Sequence, residues 1–163
     1  MILRLEKWMA SMCSAFNMIG ALSIMAMMLL TCADILFRTF RVPIPGAYEL
    51  VGMLGALFVS FSLAQTSLQK GHIAVDFLIQ KFSQKTRDIV AIVTESASAC
   101  LFGIITWESV AHAGRLKTAG DVSMTLHIPT FPIVYGMAAG CALLTLLLVF
   151  SVIALMIKVL QSR

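Results

Sequence analysis

Charge is what this sequence has least of. Only 12% of its 163 residues are Asp, Glu, Lys or Arg, about half the roughly 25% of an ordinary soluble domain. Together with 60% hydrophobic residues and a mean hydropathy of +0.94, that scarcity excludes a water-soluble fold. Cysteine is also sparse. Cys13, Cys32, Cys100 and Cys141 form no C-x-x-C pair and have no histidine at ligand spacing, which excludes a zinc or dithiol site and leaves small packing residues. No G-x-x-x-x-G-K, G-x-S-x-G, H-E-x-x-H or paired-carboxylate pattern occurs, so an enzyme reading has no support. The three histidines, His72, His112 and His127, fall in loops or at the ends of apolar stretches. None pairs within a span as a membrane haem requires, so no cofactor and no metal is expected.

What is present is length of apolar run. Uncharged stretches reach from Trp8 to Ala33, from Leu50 to Gln69 and, apart from His127, from Val122 to Ile157. Each matches or exceeds the ~20 residues needed to cross hydrocarbon. A third segment, Ile89 to Trp107, is broken only by Glu95, and at ~1.5 Å per residue it reaches about 28 Å. None of the four shows the alternation of barrel strands, so all are expected to be helices. The expected fold is an all-α integral membrane protein with spans at about 12–36, 47–69, 88–107 and 132–158. The first apolar run is too long for a signal-peptide core of ~7 to 15 residues and ends in no A-x-A-like site, so it is read as a helix.

The charges that remain mark the loops. Eight basic residues (Arg4, Lys7, Lys70, Lys81, Lys85, Arg87, Lys158 and Arg163) fall on the side shared by both termini and the central loop. Four (Arg38, Arg41, Arg115 and Lys117) fall on the other. The positive-inside rule then places both termini in the cytoplasm. The net charge of +4 follows from that topology and points to no nucleic-acid partner. In the central loop, Phe77, Leu78 and Phe82 share a face over about 75–84, the pattern of a short amphipathic helix in the lipid interface. Asp76 is placed to cap its start.

Two features stand out against the apolar background. The second span carries Gly52, Ala56, Ser60 and Ala64 at four-residue spacing, and the last carries Gly136 and Gly140 as G-x-x-x-G, with a shorter pair at Ala99 and Gly103. Such smooth faces let helices approach closely. Packing within the chain and contact with another membrane subunit both explain them. Glu95 is the other feature, since an ionisable group inside a span costs several kcal/mol unless it faces protein or water. A relay needs further polar groups at its depth, and the other spans offer no acidic partner, so a hydrogen-bonded or protonated structural glutamate is the preferred reading.

At the ends of the second span the sequence reads R-V-P-I-P-G-A-Y-E-L over 41–50 and G-H-I-A-V-D over 71–76. This pair resembles the small permease subunit, DctQ type, of tripartite ATP-independent periplasmic (TRAP) transporters. Asp34, Arg38, Pro45, Glu49, Gly71, His72 and Asp76 occupy the positions of that family's pattern, with Arg41 in the same turn, and the likeness extends over the whole chain. The resemblance implies a subunit of a secondary transporter that takes up organic acids, typically carboxylates, on a sodium gradient across the bacterial inner membrane. Its implied partners are a large polytopic permease subunit, a periplasmic substrate-binding protein and membrane lipid. The small subunit binds no substrate itself and enlarges the fixed scaffold. The rival expectations are a self-sufficient oligomeric transporter using Glu95 and a membrane anchor for a redox enzyme.

Overall fold

A computed structural model describes residues 2–68 and 84–161, with side-chain surroundings over 11–67 and 89–157. Four helices account for nearly all of it: α1 (Ile2–Thr39), α2 (Ala47–Leu68), α3 (Gln84–Ala119) and α4 (Phe131–Gln161). All four hold stretches long and apolar enough to cross a membrane, at Ser11–Thr39, Ala47–Ser67, Ile89–Ala119 and Phe131–Ile157. The chain is a multi-pass α-helical membrane protein. The expected interfacial helix at 75–84 falls almost wholly outside the described residues.

The helices pack in the order α1, α2, α4, α3, each mainly against its neighbours in that row, while α1 also touches α4. Each seam follows from spacing. On α1 the residues withdrawn from the surface include Cys13, Phe16, Gly20, Ser23, Met27, Leu30 and Asp34, with Met12 and Ala33 beside the ends of the series, a spacing of three and four that keeps one narrow stripe on α2. Gly20 brings the two backbones together, since a Cβ there would lie 3.0 Å from Ser62 Oγ and 3.4 Å from Phe58 O. Phe16 meets Phe61 edge to face with ring centroids 4.9 Å apart. On α3 the corresponding series is Ile92, Glu95, Ala99, Phe102, Thr106, Ser109 and Ala113, turned to α4. Much of its remaining apolar surface, Val93, Leu101, Ile104 and Trp107 included, is open. The four helices converge where Cys13, Ala64, Leu143, Leu144, Leu147 and Leu148 form the core, with Ala99 and Phe102 packed against it.

The crossing of α2 and α4 is the tightest. A Cβ on Gly140 would stand 2.6 Å from the Ser60 carbonyl oxygen, and one on Gly136 would stand 2.8 Å from Leu57 Cδ2. The G-x-x-x-G of the last span is thus taken up within the chain, against Leu57, Ser60 and Phe61. Gly103 does the same more loosely against Thr145.

Helix α3 runs 12 residues past Trp107, to Ala119, where the sequence suggested a loop from Glu108. The charges there belong to a helix that continues beyond its apolar stretch, with Arg115 bonded to Glu108 two turns earlier. It stops at Gly120, whose φ of 67° suits the left-handed position after a helix. The Asp121 N–H returns to the Leu116 carbonyl at 3.1 Å, the longer bond of a Schellman ending. The first and last helices likewise extend past the expected 12–36 and 132–158.

Candidate functional site

The residues that set this chain apart gather where the α1–α2 turn meets the α3–α4 loop. Helix α1 ends in a full Schellman motif: the Arg41 N–H bonds to the Arg38 carbonyl and the Val42 N–H to the Phe37 carbonyl, both at 3.0 Å. The left-handed residue there is Arg41, with φ of 62°, at a position that glycine usually fills. Pro45 and Gly46 then hold the middle of a turn closed by the Ala47 N–H on the Ile44 carbonyl. Proline fixes the first central φ and Gly46, at φ 73°, supplies the positive one, the signature of a type II turn.

Asp34 fastens this turn to its helix. Its Oδ2 accepts from Arg38 Nε at 2.7 Å and its Oδ1 from the Ile44 N–H at 3.0 Å. The carboxylate is buried while most of the Arg38 side chain is exposed, so the arginine spans the gap to the surface. Glu49, in the first turn of α2, reaches the other loop: its Oε1 accepts from both the Thr125 N–H and the Thr125 hydroxyl, each at 3.0 Å. Leu126 lies directly over Gly46, leaving no room for a Cβ. The loop holds its shape through Ser123 N–H to the Ile128 carbonyl and His127 N–H to the Ser123 carbonyl, with His127 left-handed at φ 55°. The two connections therefore lock into one cap on one side of the membrane.

Beside this cap lie two clefts. One, of about 300 Å³, is lined by Glu49, Gly52, Met53, Ala56, Thr130, Ile133 and Val134. Of this lining, Thr130 Oγ1 is buried without a hydrogen-bond partner, while the Glu49 carboxylate also has the Ser123 hydroxyl as a partner. The other, of about 520 Å³, lies between α1 and α2 and includes Thr31, Asp34, Arg38, Tyr48 and Gly52. The small-residue stripe of α2 is thus divided: Ser60 and Ala64 are buried, whereas Gly52 is exposed and a Cβ there would meet nothing within 4 Å.

Within the spans, six hydroxyls turn to their own helices. Ser23, Thr31, Ser60, Thr66, Thr106 and Thr145 each donate to the carbonyl four residues back at 2.8–3.0 Å. Glu95 is partly buried on the α3 face toward α4, and its Oε2 is buried without a partner. Among the described residues no group of three His, Cys, Asp or Glu side chains is placed to hold a metal ion.

Asp34, Arg38, Arg41, Pro45 and Glu49 come together in the cap. Gly71, His72 and Asp76 lie outside the described residues. Sequence reasoning did not single out Ser123, Thr125 or Leu126, and no local signal marks them, because their role depends on a contact 76 positions away in the chain. The fold places a proline-shaped turn, a carboxylate latch and close-packed glycine faces on four spans. No curated protein matches the chain. The family described as tripartite ATP-independent periplasmic transporters, DctQ component, matches residues 27–158. The chain belongs to that family, the small permease component of TRAP transporters, a family of transporter components rather than enzymes.

Proposed function

We propose that this chain is the scaffold subunit of a sodium-driven importer of organic acids, typically carboxylates. It associates in the bacterial inner membrane with a large polytopic permease subunit, which receives substrate from a periplasmic binding protein. Both termini face the cytoplasm and the cap faces the periplasm, in keeping with the two-to-one bias of basic residues toward the side of the termini.

One observation above all supports a scaffold rather than a pathway: six hydroxyls within the spans, those of Ser23, Thr31, Ser60, Thr66, Thr106 and Thr145, are bonded back to their own helix carbonyls. A hydroxyl so bonded has given its one proton to its own helix and has no donor left for a carboxylate substrate, while the open sides of α1 and α3 offer apolar surface of the kind that another membrane subunit or lipid covers. Glu95, turned toward α4, fits a structural role better than a relay, for which a chain of polar groups is required. In proteoliposomes, the large subunit together with this chain and the binding protein should accumulate a carboxylate substrate on an imposed sodium gradient. Omission of this chain should abolish or strongly reduce uptake. Full-rate uptake by the large subunit and binding protein alone would refute the proposal.

A further inference from the structure

We propose that the cleft between α1 and α2, beside the cap, is a phospholipid site in which Arg38 holds the phosphate and Thr31, Val51 and Gly52 line the path of an acyl chain. The site requires only that the spans lie in a bilayer, so it stands apart from the transporter reading. Three observations converge on it. First, the cleft has room, about 520 Å³, and it runs along the spans. Arg38 lies in the last turn of the apolar stretch Ser11–Thr39 and Tyr48 in the first turn of Ala47–Ser67, where hydrocarbon gives way to headgroups. Thr31, on the same wall as Arg38, lies two turns deeper, about 10 Å at a helical rise of ~1.5 Å per residue. Second, the mouth of the cleft has donors to spare and no unused carboxylate oxygen. Both oxygens of Asp34 are engaged, by Arg38 Nε and by the Ile44 N–H, and Glu49 is held across the cap by Thr125 and Ser123. Among the described residues the two Nη groups of Arg38 make no hydrogen bond, and most of that side chain is exposed. Third, Tyr48 is exposed at the same level, and exposed Phe37 and Phe40 flank Arg38 along the chain, an aromatic fringe of the kind that settles at a membrane–water interface.

A guanidinium carries five donors in a planar fork that matches a phosphate, and the bond between them is charge-assisted. With Nε committed to Asp34, the outer edge of Arg38 is the part left to meet a ligand. A phospholipid supplies its two parts in the order the cleft presents them, phosphate at the mouth and methylenes below. A helix of another subunit would have to bring an acid to one particular turn to do the same, whereas every phospholipid of the leaflet carries its phosphate at that level. The recognised group is thus the phosphodiester common to phosphatidylglycerol and phosphatidylethanolamine, joined to a chain that the apolar wall accepts.

The test uses the full chain, delipidated in detergent, with bound lipid counted by native mass spectrometry. Phosphatidylglycerol and phosphatidylethanolamine should each add one tightly held molecule, and diacylglycerol, which lacks the phosphate, should be held at least tenfold more weakly. Arg38→Gln should weaken phosphatidylglycerol by about tenfold, equivalent to ~1.4 kcal/mol, and Arg38→Lys should restore part of the loss. Gly52→Leu, which fills the wall where a Cβ meets nothing within 4 Å, should weaken it similarly while the delipidated variant melts as the parent does, which separates a blocked cleft from misfolding. In the assembled transporter, benzoylphenylalanine in place of Tyr48 should crosslink to lipid. Equal retention of diacylglycerol, undiminished binding by both Arg38→Gln and Gly52→Leu, displacement of the lipid by inorganic phosphate alone, or crosslinks solely to another subunit would each overturn the assignment, and none of these results touches the scaffold reading.

Discussion

Replacing Gly140 by alanine should be the most damaging methyl that can be added to a glycine within the helices. The new Cβ would lie 2.6 Å from the Ser60 carbonyl oxygen and 2.8 Å from its carbon. These are backbone atoms, so no rotamer change relieves the contact. Ordinary contact begins near 3.4 Å, and 3.4 minus 2.6 requires α2 and α4 to separate by 0.8 Å at their crossing. A gap of about 0.5–1 Å forfeits a quarter to a half of each dispersion contact along the seam, and forcing extra bulk into a packed interface costs about 1–3 kcal/mol. For a chain of this size, at ~2–4 °C per kcal/mol, the midpoint should fall by roughly 4–8 °C for a mid-range loss of ~2 kcal/mol. The assay is thermal loss of the monodisperse peak in detergent. Gly136→Ala should cost less, because the 2.8 Å contact there is to the mobile end of Leu57. Gly114→Ala, where a Cβ meets nothing, should raise the midpoint, since alanine favours a helix over glycine by ~0.8–1.0 kcal/mol. Equal losses for Gly140→Ala and Gly114→Ala would refute the close-approach argument.

The cap yields further expectations. Asp34→Ala should destabilise more than Asp34→Asn, which keeps an acceptor for the Ile44 N–H, and both more than Arg38→Gln, whose side chain is mostly exposed; melting of the three variants ranks them. Glu49→Ala should release the α3–α4 loop and speed hydrogen exchange at the Thr125 amide, leaving the amides within α4 unchanged. Arg41→Gly should stabilise the chain by about 0.5–1 kcal/mol, the left-handed penalty of ~1–2 kcal/mol less the extra unfolded freedom of glycine, seen as a raised melting midpoint. Glu95→Gln should leave sodium-driven uptake in proteoliposomes near the parent rate, whereas loss of uptake with intact assembly would favour a relay.

The spans were readable because hydrophobic length and the clustering of charge are local properties of a sequence. The end of α3 was not, since Glu108, Arg115 and Lys117 read as loop by charge alone, although Gly120 was a usable stop signal. The α2 stripe shows a different limit. Four-residue spacing identified a smooth face from Gly52 to Ala64, but only the path of α4 decides that Ser60 and Ala64 are covered and Gly52 is not. Of the cap, Pro45 and Gly46 announced the turn and Asp34 with Arg38 the pair one helical turn apart. The partner of Glu49 depends on how far α3 projects before the chain turns back, which no window of neighbouring residues encodes.

The row order α1, α2, α4, α3 gives the molecule a grain. Each half is a helical hairpin with its own continuous seam, and the halves meet chiefly along one line, from the Gly140 crossing to the Glu49 latch. Two such hairpins are natural units of membrane insertion, the first able to settle while the second is still being made. Damage to the line between them would part the protein into two sound pieces, so a chain severed between α2 and α3 should still reassemble when both halves are supplied together.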